Sequence, residues 1–334
     1  GVGGAGDLVN NGPGIGNNYM QSSNITLAAD ATIGGTGNFA LLASGYGATT
    51  LDLAGHTLTK AGTNTFTIAN ATLTSGTIHI AEGTFSQHVG AHDASAVAFT
   101  LANTAGANLN LGSYGLTIGS LAGGGAAGGD VNLGGNTLTV GNAASTTYAG
   151  TISGGGRLTK VGAGTLTLGG ANTYTGGTTI SQGTLAATGT GAGGSASNSI
   201  NALGATGSNV VVESNGTLTL TNVVSNWTGA NYVYSGAGTI NLVSSGGTAY
   251  SQLDGSLSAF TGTLNISGNG YGTVRNATDA SQATVNVTTT GYGWFFAPGV
   301  NMQVGALTGN GNITGSAASG NATLTVGSLN TDTT

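Results

Sequence analysis

Four Lys or Arg and ten Asp or Glu are all the fixed charge in a 334-residue chain, for a net charge of −6. Asp7, Asp30 and Asp52 recur at intervals of 23 and 22 residues, so successive coils of a repeat protein could stack them into one acidic column. Glycoside hydrolysis needs two carboxyl groups about 5–9.5 Å apart. Solvated turns explain the same spacing more simply. The densest titratable cluster is His79, His88, His92 and Asp93. Imidazoles beside a carboxylate can hold zinc, but these intervals match no standard ligand pattern, and polar loop residues account for them. The runs ending at Asp7 and Asp130 resemble glycine-rich calcium turns, yet neither keeps that motif's spacing or recurs in tandem. No cysteine is present, which excludes disulfides, thiolate metal sites and a cysteine nucleophile. No catalytic residue, metal ligand or cofactor is therefore expected. Four cations are too few for binding nucleic acid by counterion release.

Large aromatic side chains gather in the second half: Trp227, Tyr232, Tyr234, Tyr292, Trp294, Phe295 and Phe296. Aromatics among small polar residues can stack on sugars or anchor a protein interface. Core filling is the competing role. The interaction surface expected from sequence, if the chain has one, comprises Trp227, Tyr292, Trp294, Phe295 and Phe296.

The elements that would position these residues are short alternating runs such as TLDLAG from Thr50, TFTIAN from Thr65, VNLGGNTLTVG from Val131 and GTLNISGNG from Gly262. Each has the period of a strand with one face buried. Gly, Asn or Ser-Gly interrupts them every few residues, so no window can hold an amphipathic helix. With 66 glycines and few charges, the solvated face must be Thr, Ser and Asn. Inward positions are expected at Leu51, Leu53, Leu58, Phe66, Ile68, Leu73, Ile78 and Ile80. Residues 118–148 align without a gap on 304–334, and both copies contain TLTVG. A strand-turn coil exposes an apolar edge that only the next coil can cover, which gives repeats of about 22 residues a reason to stack. The expectation is one continuous all-β solenoid over 1–334, with 118–148 and 304–334 as an internal repeat pair and Thr334 falling within a repeat.

The stretch 151–189, with Leu158-Thr159-Lys160, Gly162-Ala163-Gly164-Thr165-Leu166, Ala171-Asn172-Thr173-Tyr174, Thr178-Thr179-Ile180 and Gly183-Thr184-Leu185, closely resembles the autotransporter-associated β-strand repeat of bacterial passenger domains. That resemblance implies a right-handed parallel β-helix, exported to the bacterial surface or beyond it. Tyr174 is expected as a packed aromatic. No signal peptide, C-terminal membrane barrel or apolar run of about 20 residues is evident, so no membrane insertion by this segment is expected.

The functional expectation is a non-enzymatic extracellular structural protein, an adhesin stalk or fibre subunit. Its expected partners are further coils stacked end to end, from other copies or from a longer chain, and host or neighbouring cell surfaces or their glycans. The alternative is a passenger that binds or cleaves glycans through the aspartate column or the aromatic cluster. Neither end of the sequence shows the charge or proline that blunts an open strand edge.

Overall fold

The computed structural model describes residues 6–12, 19–21, 24–42, 49–69, 71–88, 92–188, 202–205, 207–222, 232–246, 250–275, 279–293, 301–314, 323–327 and 329. Their regular structure is all β, with no helix, and every pairing between named strands is parallel. The chain divides into two compact units, one of residues 1–166 with 170–176, the other of 167–169 with 177–334. Each is a parallel β-solenoid, as the alternating runs and the resemblance imply.

In the first unit, successive coils contribute strands to long ladders. One ladder runs through Ala31–Gly35, Thr57–Lys60, Gly76–Ile80, His92–Leu101, Leu116–Gly123, Thr137–Val140 and Arg157–Lys160. A second contains Phe39–Leu42, Thr65–Ala69, Thr84–His88, Asn108–Asn110, Asp130–Asn132 and Ile152–Ser153. A third, shorter one joins Asn24–Thr26, Thr49–Asp52 and Ala71–Thr74. The coil length varies about the expected value: the register advances 20 residues from Thr57 to Thr77, 22 from Leu116 to Leu138 and 27 from Ala31 to Leu58.

The second unit stacks Thr178–Thr188, Asn209–Thr221, Thr239–Ser244, Thr263–Gly268, Asp279–Val287, Asn301–Thr308 and Thr323–Val326. Tyr232–Gly236, Tyr250–Phe260 and Tyr271–Arg275 build a neighbouring ladder. One coil is longer, with Thr184 paired to Thr217 across 33 residues.

Period two explains the core. In Thr57–Lys60, Leu58 is buried between half-exposed threonines, and the same alternation repeats in Thr137–Val140 and Thr263–Ile266. All eight positions expected to face inward are buried, from Leu51 to Ile80, and Tyr174 is 0% exposed. Phe66 and Phe85 are register partners in one ladder, and Phe85 also meets Phe99 of the other ladder; both pairs are edge to face with ring centroids 5.6 Å apart, a geometry aromatic pairs favour. Glycine is required where coils touch at corners. At Gly141, φ is +149° and an added Cβ would lie 1.6 Å from the Val161 carbonyl oxygen of the next coil.

Candidate functional site

The sequence candidates do not converge. Asp7 pairs with Thr32 in the long ladder, whereas Asp52 stands between Thr26 and Thr74 in the short one. Asp30 lies in a turn, where its Oδ1 accepts the Thr57 amide at 2.8 Å and stands 3.7 Å from His56 Nδ1. The three aspartates therefore form no column. Local hydrogen bonds engage most of the described carboxylates. Asp52 Oδ1 accepts the Thr74 hydroxyl at 2.6 Å and the Ala54 amide at 2.9 Å, which lower its pKa. Asp93 and Asp279 each accept the amide two residues on, at 2.9 Å, and are likewise lowered. Asp130 accepts the Thr151 amide of the next coil at 2.9 Å. Among the described residues, one carboxylate is buried: Asp254, 1% exposed, accepts Gln252 Nε2 at 2.5 Å and is the register partner of Arg275.

His79 Nδ1 lies 2.9 Å from Thr100 Oγ1, and His88 is exposed at the end of its strand. Among the described residues, no group of three His, Asp or Glu is placed to hold a metal ion. Trp227, Trp294, Phe295 and Phe296 lie outside the described residues. Tyr292 starts a two-residue strand paired with Tyr271, and its side chain lies outside the description too. Tyr232 and Tyr234 fill core, with Tyr232 donating to the Gly204 carbonyl at 2.9 Å.

The chemistry the structure does concentrate is a pair of buried cations. Lys60 is 0% and Lys160 1% exposed. Lys60 Nζ donates to the carbonyls of Ala61 at 3.1 Å, Gly62 at 2.7 Å and Glu82, in the following coil, at 3.0 Å. Lys160 Nζ donates to Val161 at 2.6 Å and Gly162 at 2.8 Å. Burial pulls both pKa values down to about 8, with the Glu82 charge partly opposing it at Lys60. An ammonium in a carbonyl cage ties a glycine corner to its own coil, and Lys60 also reaches the next one. It is closed to any substrate. Period two puts Lys60 on the same side as Leu58, so a lysine at an inward strand position is the sequence signal of this cage.

Tyr148 closes a corner in the same way, donating to the Gly129 carbonyl at 2.7 Å; burial and then the Asp130 charge raise its pKa. Stacked parallel coils, caged lysines and turn-bound aspartates define a β-solenoid. Residues 58–86 and 158–187 each match the family model of the passenger-associated-transport-repeat, the repeat of autotransporter passengers. The two matches begin at equivalent residues, Leu58 and Leu158, and each contains its caged lysine. Proteins that carry this repeat are secreted or displayed at the cell surface. No curated protein and no solved structure matches the chain.

Proposed function

We propose that this chain is a non-enzymatic structural passenger, displayed on or released from a bacterial surface as an adhesin stalk or fibre segment. The observation that carries this reading is where the repeat's most distinctive polar residue goes. Lys60 and Lys160 are committed to backbone carbonyls inside corners, and Asp30, Asp52, Asp93, Asp130 and Asp279 to hydrogen bonds at turns and strand ends, so the motif encodes coil closure.

End-to-end stacking accompanies the proposal. TLTV occurs twice with different burial. In Thr137–Val140, covered by Arg157–Lys160, Leu138 and Val140 are buried; in Thr323–Val326, paired among the described residues with Asn301–Thr308 alone, Val326 is 43% exposed. At the other edge, Gly6–Asn10 pairs with Ala31–Gly35 and leaves Leu8 and Val9 43% and 56% exposed. An apolar cavity of ≈ 110 Å³ lined by Leu8, Ile33, Leu58 and Phe66 lies behind that strand. Another coil on either edge would pair its backbone and cover these side chains, and such head-to-tail contacts propagate.

Antibody labelling of intact producing cells tests display. Labelling without lysis is expected; labelling only after lysis would reject the reading. A glycan-binding passenger is the second reading, favoured by a regular hydroxyl and amide face on the second unit.

A further inference from the structure

Five strands of the second unit present an ordered outward face. Thr219, Asn241, Asn265, Asn286 and Thr308 occupy one register position in consecutive coils. Their side chains are hydrogen-bonded in series: Asn241 Nδ2 to Thr219 Oγ1 at 3.4 Å, Asn265 Nδ2 to Asn241 Oδ1 at 2.8 Å, and Asn286 Nδ2 to Asn265 Oδ1 at 3.0 Å. Thr308 Oγ1 closes the series on Asn286 Oδ1 at 3.3 Å. A parallel column of Thr217, Thr239, Thr263 and Thr284 runs beside it, two residues back along each strand. The intervening Leu218, Ile240, Leu264 and Val285 are 0% exposed, which pins the outward set in place.

The result is a lattice of hydroxyls and amides about 4.8 Å apart from coil to coil and roughly 6.7 Å apart along each strand. The ladder engages one donor and one lone pair of each amide, and each amide has two of both. Threonine is stiff at χ1, and the amides are tied to one another, so little side-chain freedom remains to be lost on binding. No Asp, Glu, Lys or Arg stands in either column.

We propose that this face binds a neutral, regularly hydroxylated polysaccharide lying along the coil axis. Neutrality of the face selects a neutral polymer: a carboxylate or sulfate brought against it would lose hydration with no cation to replace it. Protein partners are held by Trp, Tyr and Arg anchors in desolvated pockets, which these columns lack. One sugar ring of an extended chain is about as long as one coil is high, so hydroxyls can meet the lattice coil after coil. Each contact is weak, and affinity comes from repetition. The inference rests on the passenger reading only for where the polymer is met.

The test is sedimentation of the purified chain with an insoluble neutral β-glucan and, in parallel, with an insoluble polyuronate. Retention on the glucan that survives high salt is expected, because no ion pairs are involved. Asn241→Asp with Asn265→Asp should lower retention by at least about tenfold, a loss of about 1.4 kcal/mol. Thr263→Val with Thr284→Val, which keeps shape and β propensity, should lower it without altering the circular dichroism spectrum. Thr139→Val in the first unit should leave it unchanged. No retention on the glucan, preference for the polyuronate, or equal retention by the folded Thr263→Val, Thr284→Val variant would overturn the proposal. Because the assay uses purified chain, its failure is separate from failure of surface labelling.

Discussion

Lys60 and Lys160 sit where alternation demands an apolar side chain, and three backbone carbonyls around Lys60 show why a cation is kept there. Lys60→Met would fill the same volume but leave those carbonyls without their donor, at about 1–3 kcal/mol for buried polar groups left unsatisfied. A lowered urea midpoint is the expected readout; an unchanged midpoint would make the cage dispensable. The same residues shape the pH dependence. Both lysines bind protons less well folded, at about 8, than at their ordinary 10.5, so the unfolded chain carries more protons between those values. Stability should rise through that window. Burial acts the other way on Tyr148 and Tyr232, raising the latter from 10.0 to about 12, and their contribution is lost as pH climbs above 10. Urea midpoints should therefore peak near pH 10. A steady fall from neutral pH upward would contradict this balance.

Between elements, stability comes from coils that repeat in register. Phe85 lies between Phe66 and Phe99, so Phe85→Ala removes two edge-to-face contacts at once and opens a cavity worth about 3–5 kcal/mol. Gly141→Ala should cost a similar amount, about 3 kcal/mol or more, by driving a Cβ into the Val161 carbonyl in a backbone conformation that favours glycine. Chemical denaturation measures both, and a loss below about 1 kcal/mol would show that the coils can part locally. Strands and inward faces were legible in the sequence because one period, read at Leu51 to Ile80, fixes both. The glycine corners were legible as breaks but not as contacts, since what Gly141 avoids belongs to the next coil. Asp7, Asp30 and Asp52 show the same boundary. Their spacing equals one coil, but spacing says nothing of which ladder of the coil each occupies, and the structure puts Asp7 and Asp52 on different ones. The asparagine ladder was hidden for a related reason: Asn241, Asn265 and Asn286 meet only once coils of unequal length are aligned.

For the molecule as a whole, sparse charge and exposed apolar side chains act together. With a net charge of −6 over 334 residues, electrostatic repulsion between copies is weak. Gly6–Asn10 and Thr323–Val326 each pair with one strand among the described residues and expose Leu8, Val9 and Val326. Stacked coils would be held by backbone pairing and apolar burial, so association should persist in high salt, where surface ion pairs are screened. Placing charge on the edges should stop it, as natural edge strands are blunted. Sedimentation velocity over a concentration series, for the chain and for its Val9→Lys, Val326→Lys variant, tests this most directly. The account predicts that the chain grows into species of many copies as concentration rises, unaffected by salt, while the variant stays at single-chain mass. Single-chain mass for both at every concentration would contradict it.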